Sequence, residues 1–182
     1  MIVKEIDSFL VVIDSQERLI SAMSDSDQQM IIDQTSILLQ AANLLDVPIT
    51  ITEQYPKGLG PTHPDLLNDV SSPTIIEKTC FSCSDQADFM ARLRSSHRRS
   101  VILTGMEAHI CVLQTALKLK SQGFDVFVVE DAVCSRTEKN KDNALQRLAQ
   151  AGVVICNTES VLFEWLQDAK HEHFRTLSKL IV

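Results

Sequence analysis

The sequence predicts a Rossmann-like three-layer α/β sandwich in a single domain, with a six-stranded parallel sheet and helices on both faces. Three observations carry this. Short β-branched or aromatic runs alternate with segments of helical periodicity, the pattern of βαβ units with right-handed crossovers. The short runs are almost continuously hydrophobic, as strands covered on both faces must be. The chain has 182 residues, 45% of them apolar, enough to fill one core without a disulfide or a metal. The whole of 1–182 reads as one domain, with a core over about 5–166 and a tail over 167–182.

The expected strands are 9–13, 48–52, 74–76, 100–104, 125–129 and 153–156. Between them, Ile31, Thr35, Leu38, Leu39, Ala42 and Leu45 recur at three- and four-residue steps and give a helix one apolar face. Ile110, Leu113 and Leu117 repeat the pattern, as do Ala144, Leu145 and Leu148; Ala87, Met90, Ala91 and Leu93 are a weaker version. Gly123 and Gly152 close two of these helices, where a left-handed residue is needed. Asp46 and Pro48 end the helix before the second strand, and Thr158 with Glu159 opens the last one. The stretch 53–73 holds four of the five prolines and reads either as a binding loop or as a long connection. The tail reads as one short helix, lying on a partner subunit or solvated.

The net charge is −7, which argues against a nucleic-acid or anionic-membrane surface. The N-terminal apolar run, 9–13, is five residues long, far short of the roughly 7–15 of a signal-peptide core or the ~20 of a membrane span. Five cysteines cannot all pair; with no leader, reduced thiols in a cytoplasmic protein are expected.

Ligands of open α/β sheets bind beyond the carboxyl ends of the strands, so the residues that follow each strand matter most. Asp14 follows the first strand, Glu77-Lys78 the third, and Gly105-Met106-Glu107-Ala108-His109-Ile110-Cys111 the fourth. Cys111 falls near a helix N-terminus, where the dipole favours thiolate and free N–H groups can hold an oxyanion. Taken singly, Cys111 could be a small core residue, Asp14 a turn cap and Lys78 a surface lysine. Their joint placement on one sheet edge is what points to chemistry.

The runs 9–16, Lys78-Thr79-Cys80-Phe81-Ser82 and 104–112, with a further block at 129–136, resemble the ordered motifs of the isochorismatase-like, or cysteine, hydrolases, and within them the isochorismatase domain-containing subgroup. The resemblance extends to about Leu166. It implies a catalytic triad of Cys111 as nucleophile, Asp14 as proton acceptor and donor, and Lys78 as electrostatic support. It also implies a cis peptide at Met106–Glu107 that aims the N–H of Glu107, beside that of Cys111, into an oxyanion hole. The expected activity is hydrolysis of a small amide-type substrate through a thioester on Cys111, by a homo-oligomer. Members that hydrolyse isochorismate tend to lack the cysteine, which points away from that reaction. Nicotinamidases carry an Asp-x-His run after the second strand; here it is Thr52-Glu53-Gln54-Tyr55-Pro56, with His63 as the loop's one histidine, so neither a metal nor another cofactor is expected.

Gln16, Tyr55, Phe81 and His109 are the candidate substrate contacts, although Tyr55 and Phe81 could be ordinary packing and His109 could orient backbone. Cys80-Phe81-Ser82-Cys83 has redox or half-zinc spacing, but no second pair exists and a thioredoxin motif would follow the first strand. It reads as coincidence, with one alternative: Cys80, near Lys78, reacts with oxidants. Two other function classes remain: an idle binding or scaffold protein, and a thiol redox sensor using Cys111 or Cys80.

Overall fold

A computed structural model describes residues 1–181. Its sheet is six-stranded and all parallel, in the order β3-β2-β1-β4-β5-β6. The strands are β1 (Ser8–Ile13), β2 (Ile49–Gln54), β3 (Thr74–Lys78), β4 (Ser100–Met106), β5 (Asp125–Cys134) and β6 (Val154–Cys156). The helices are α1 (Glu17–Ile20), α2 (Asp25–Leu44), α3 (Pro56–Leu59), α4 (Pro64–Leu67), α5 (Ala87–Ser95), α6 (Leu113–Ser121), α7 (Glu138–Gln150), α8 (Thr158–Leu166) and α9 (Phe174–Leu177). The fold class and the six strands match the sequence reading.

Every residue of β1 is buried, and its side chains alternate between two cores, as the two-residue period of a strand requires. Phe9, Val11 and Ile13 join Phe89 and Leu93 of α5, Ala116 and Leu119 of α6, and Ala144 and Leu148 of α7. Leu10 and Val12 join Leu38 and Leu39 of α2 and Leu162 and Trp165 of α8 on the opposite face. Burying one such aliphatic side chain contributes roughly 1.5–3 kcal/mol. The indole N–H of Trp165 donates to Ser8 Oγ at 2.9 Å, so the largest core residue leaves no orphan donor.

Several details differ from the reading. β5 runs on to Cys134, because its register against β4 shifts between Leu103 and Gly105. The shift ejects Glu130 and Asp131, and Asp131 Oδ1 accepts from both the N–H and the hydroxyl of Thr158 at 2.9 Å. α8 does open at Thr158, with Asn157 as its cap, accepting from the Ser160 N–H at 2.8 Å. The tail packs on its own chain through its apolar side: Leu177 is 1% exposed and joins, with Phe174, Leu180 and Ile181, the second core, while 167–170 are exposed. The stretch after β2 is pinned, since Glu53 Oε1 accepts from the N–H and hydroxyl of Thr62, both at 2.7 Å. No helix among the described residues is long and apolar enough to cross a membrane.

Candidate active site

β1 and β4 are neighbours, and the chain runs outward from them in opposite directions, to β2 and β3 on one side and to β5 and β6 on the other. That switch point leaves a crevice at the carboxyl ends of the two central strands. It is also very tight. Gly105 has φ 105°, and a Cβ there would lie 2.0 Å from the Ile13 carbonyl oxygen. Only glycine lets the two backbones approach so closely, and the approach places the end of β4 directly beside Asp14.

Asp14 is fully buried and left-handed, with φ 51°, a conformation Asp and Asn tolerate better than other residues with a side chain. Its carboxylate is fully engaged. Thr52, at the same level of β2, donates its hydroxyl to Oδ1 at 2.7 Å. Lys78, the last residue of β3, donates Nζ to Oδ2 at 2.7 Å, and both side chains of this ion pair are closed to solvent. Lys78 Nζ also lies 2.8 Å from Gln54 Oε1, 3.2 Å from the Phe81 carbonyl and 3.3 Å from that of Cys80. Four acceptors surround three ammonium protons, which is what a buried charge requires.

Burial pushes the Asp14 carboxyl above its ordinary 3.8, against the opposing pull of Lys78, Thr52 and Cys111. Burial alone would lower Lys78; the charges of Asp14, Cys83 and Cys111 more than reverse this, and Lys78 stays an ammonium. The result is a carboxylate more basic than one in water, with a fixed cation beside it.

Cys111 belongs to a π-helical turn, Ala108–Val112, that leads from β4 into α6. It is 6% exposed and faces Asp14. Here a sequence expectation is corrected. The helix terminus was expected to favour the thiolate; burial first, and the Asp14 charge second, raise the thiol pKa instead. The resting group is a thiol next to a basic carboxylate.

The Met106–Glu107 peptide is cis. Met106 is fully buried. Glu107 reaches across to the turn after β5, its Oε2 accepting from the Arg136 N–H at 3.2 Å and its Oε1 lying 3.0 Å from Arg136 Nε. His109 Nδ1 lies 3.0 Å from Ser135 Oγ. Glu107 and His109 thus lace the start of the π turn to β5. Gln16 is fully buried, with both amide hydrogens donated to the Gln54 and Gly60 carbonyls at 3.1 and 2.6 Å and its oxygen accepting from the Gln54 N–H at 2.7 Å. Its amide is spent on main chain and clamps the loop, which does not fit the expected substrate contact. Tyr55 and Phe81 stand at the rim, 56% and 54% exposed. A shallow groove of about 420 Å³ runs past Tyr55, Lys78, Thr79 and Gln86; larger grooves lie between α2 and the tail and between α2 and α7, away from Asp14, Lys78 and Cys111.

Thr52, Gln54 and Cys83 were missed as site residues. Cys83 is fully buried, with Sγ 3.7 Å from Thr52 Oγ1. Gln54 lies just beyond the expected strand 48–52, where the sheet-edge rule reaches, whereas Thr52 is that strand's own last residue and carries no such signal. Among the described residues, no three His, Cys, Asp or Glu side chains are grouped to hold a metal.

The isochorismatase domain family matches residues 8–160. Isochorismatase family protein 1B of Dictyostelium discoideum is 39% identical over 153 residues, covering 81% of this chain and 73% of its own length. The structure described as MAR1 ribonuclease from Caenorhabditis elegans superposes with a TM-score of 0.93 at 35% identity, over 100% of this chain and 92% of the other. YcaC of Escherichia coli, described as an octameric hydrolase of unknown specificity, gives 0.93 at 24% identity, over 100% and 89%.

Proposed function

Since the chain belongs to the isochorismatase domain family, we propose that it is a cysteine hydrolase of small amide-type substrates, working through a thioester on Cys111. The observation that supports this reading is the Asp14 carboxylate: fully buried, held at one oxygen by Lys78 and at the other by Thr52, each at 2.7 Å, with the Cys111 thiol against it. Asp14 takes the thiol proton, and Lys78 offsets the charge left in the site. The Cys111 sulfur attacks the substrate carbonyl carbon, and the N–H groups of Glu107 and Cys111 receive the tetrahedral oxygen. Collapse breaks the C–N bond, and the leaving amine or ammonia takes the proton from Asp14. Water then gives Asp14 a proton and attacks the thioester; the acid departs, and the proton returns to the Cys111 thiolate.

RNA cleavage, from the description of the C. elegans relative, fits less well. A phosphodiester needs cations to neutralise its charge, whereas Lys78 has no proton to spare and the net charge is −7. We further infer a homo-oligomer in which a second copy covers the rim residues Tyr55 and Phe81; YcaC is described as octameric.

A panel of small amides and esters, assayed beside an RNA substrate and read against Cys111→Ala, tests the proposal. Turnover confined to an amide or ester, lost in Cys111→Ala and accompanied by an acyl mass on Cys111, is expected. Hydrolysis that survives Cys111→Ala, or that is confined to RNA, would refute it.

A further inference from the structure

Cys83 is buried beside the site, yet the proposed reaction gives it nothing to do. Its surroundings assign it a partner. Thr52 Oγ1 has a single proton, and the Asp14 carboxylate at 2.7 Å has only lone pairs to offer. That proton therefore goes to Asp14 Oδ1. The Thr52 oxygen can then only accept from Cys83 Sγ at 3.7 Å, so Cys83 is the donor of that contact. The Cys83 backbone is fixed in turn, its N–H donating to Thr115 Oγ1 at 2.9 Å. Thr115 lies four residues beyond Cys111, so the far end of this chain of bonds is braced on the helix that the Cys111 turn leads into.

Resting on the reading of Asp14 as proton acceptor, we propose that Thr52 and Cys83 are positioning residues. They form a relay, Cys83 S–H to Thr52 Oγ1 and Thr52 O–H to Asp14 Oδ1, that fixes the carboxylate for the Cys111 proton. With Lys78 on Oδ2 and Thr52 on Oδ1, the carboxylate cannot turn away from the thiol. The Thr52 bond also favours the charged form of Asp14, partly offsetting its burial. Burial, followed by the Asp14 charge, pushes the Cys83 thiol up to about 11. It therefore remains a proton donor through neutral pH and does not compete as a nucleophile. The titratable groups that face Asp14 are Lys78 from β3, Cys83 from the turn after it, and Cys111 from the π turn.

The test reads Cys111 and needs no substrate. The rate of Cys111 alkylation by iodoacetamide is followed from acid to neutral pH by mass spectrometry of its peptide, with melting curves to check folding. In the wild type the rate climbs as Asp14 ionises and then levels, and Asp14→Asn abolishes this acid limb. Thr52→Val moves the limb to higher pH, making alkylation on the limb on the order of tenfold slower, while Thr52→Ser restores it. Cys83→Ala moves the limb the same way by less, and Cys83→Ser restores it; this pair carries the test if Thr52→Val does not fold. Limbs of Thr52→Val and Cys83→Ala that overlie the wild type overturn the relay, as does a uniform loss of rate at every pH. An acid limb that persists in Asp14→Asn overturns the proton-acceptor reading, and the relay with it.

Discussion

Asp14 carries both the proposed proton transfer and one half of a buried ion pair. Its left-handed φ of 51° suits Asn as well as Asp, but Asp14→Asn leaves the buried Lys78 ammonium without its counter-charge, so the variant should lose its proton shuttle and also about 3–5 kcal/mol of stability, read as a lowered melting temperature. Cys111→Ser keeps a similar shape, but a carboxylate is too weak a base to deprotonate an alcohol efficiently. Each variant should lose on the order of 10³-fold or more in kcat, and the double variant should be little worse than either, because groups acting as a unit are non-additive. Multiplying losses would show independent roles. Asp14, Lys78 and Cys111 were legible in the sequence because each stands where a predicted strand gives way to a loop or helix. Thr52 was not: threonine is an ordinary strand residue, and its value here comes from its neighbours on β1 and β3 rather than from anything adjacent in the chain. The direction of the Cys111 shift was also misread, since a helix terminus is visible in sequence whereas burial beside a carboxylate is not.

Among the elements, β1 and β4 were the plainest in the sequence, being short, apolar and fully buried. β5 was expected to end at 129, where the apolar run gives way to Glu130-Asp131, and only the register shift against β4 shows why polar residues fall inside a strand. The β1–β4 junction depends on Gly105. In Gly105→Ala the new methyl would lie 2.0 Å from a backbone oxygen that cannot step aside, at a φ of 105°. We expect a loss of at least ~3 kcal/mol in chemical denaturation, together with loss of turnover. A melting temperature within a degree or two of the wild type would show that the two strands are not so closely held.

At the scale of the whole molecule, the buried thiols couple stability to pH. Burial, as the largest cause, raises Cys83 from 9.0 to about 11 and Cys134 from 9.0 to about 12. Above pH 9 the unfolded chain releases these protons while the native state keeps them, so stability is complete below pH 9 and falls as pH rises toward 11. Each thiol contributes about 1.4 kcal/mol per pH unit across its window. The melting temperature should decline from pH 9 upward, and Cys134→Ala should flatten the decline; an unchanged slope would mean that Cys134 ionises alike in both states. The sheet order carries a consequence of another kind. Lys78 ends β3, an edge strand in which only Ile76 and Lys78 are buried, while Asp14 and Cys111 belong to the centre. Fraying begins at edges, so warming should peel β3 first and withdraw the ammonium from a carboxylate that stays behind. Thermal inactivation should then precede the calorimetric transition, with the central strands still protected from hydrogen exchange while the reaction has already stopped.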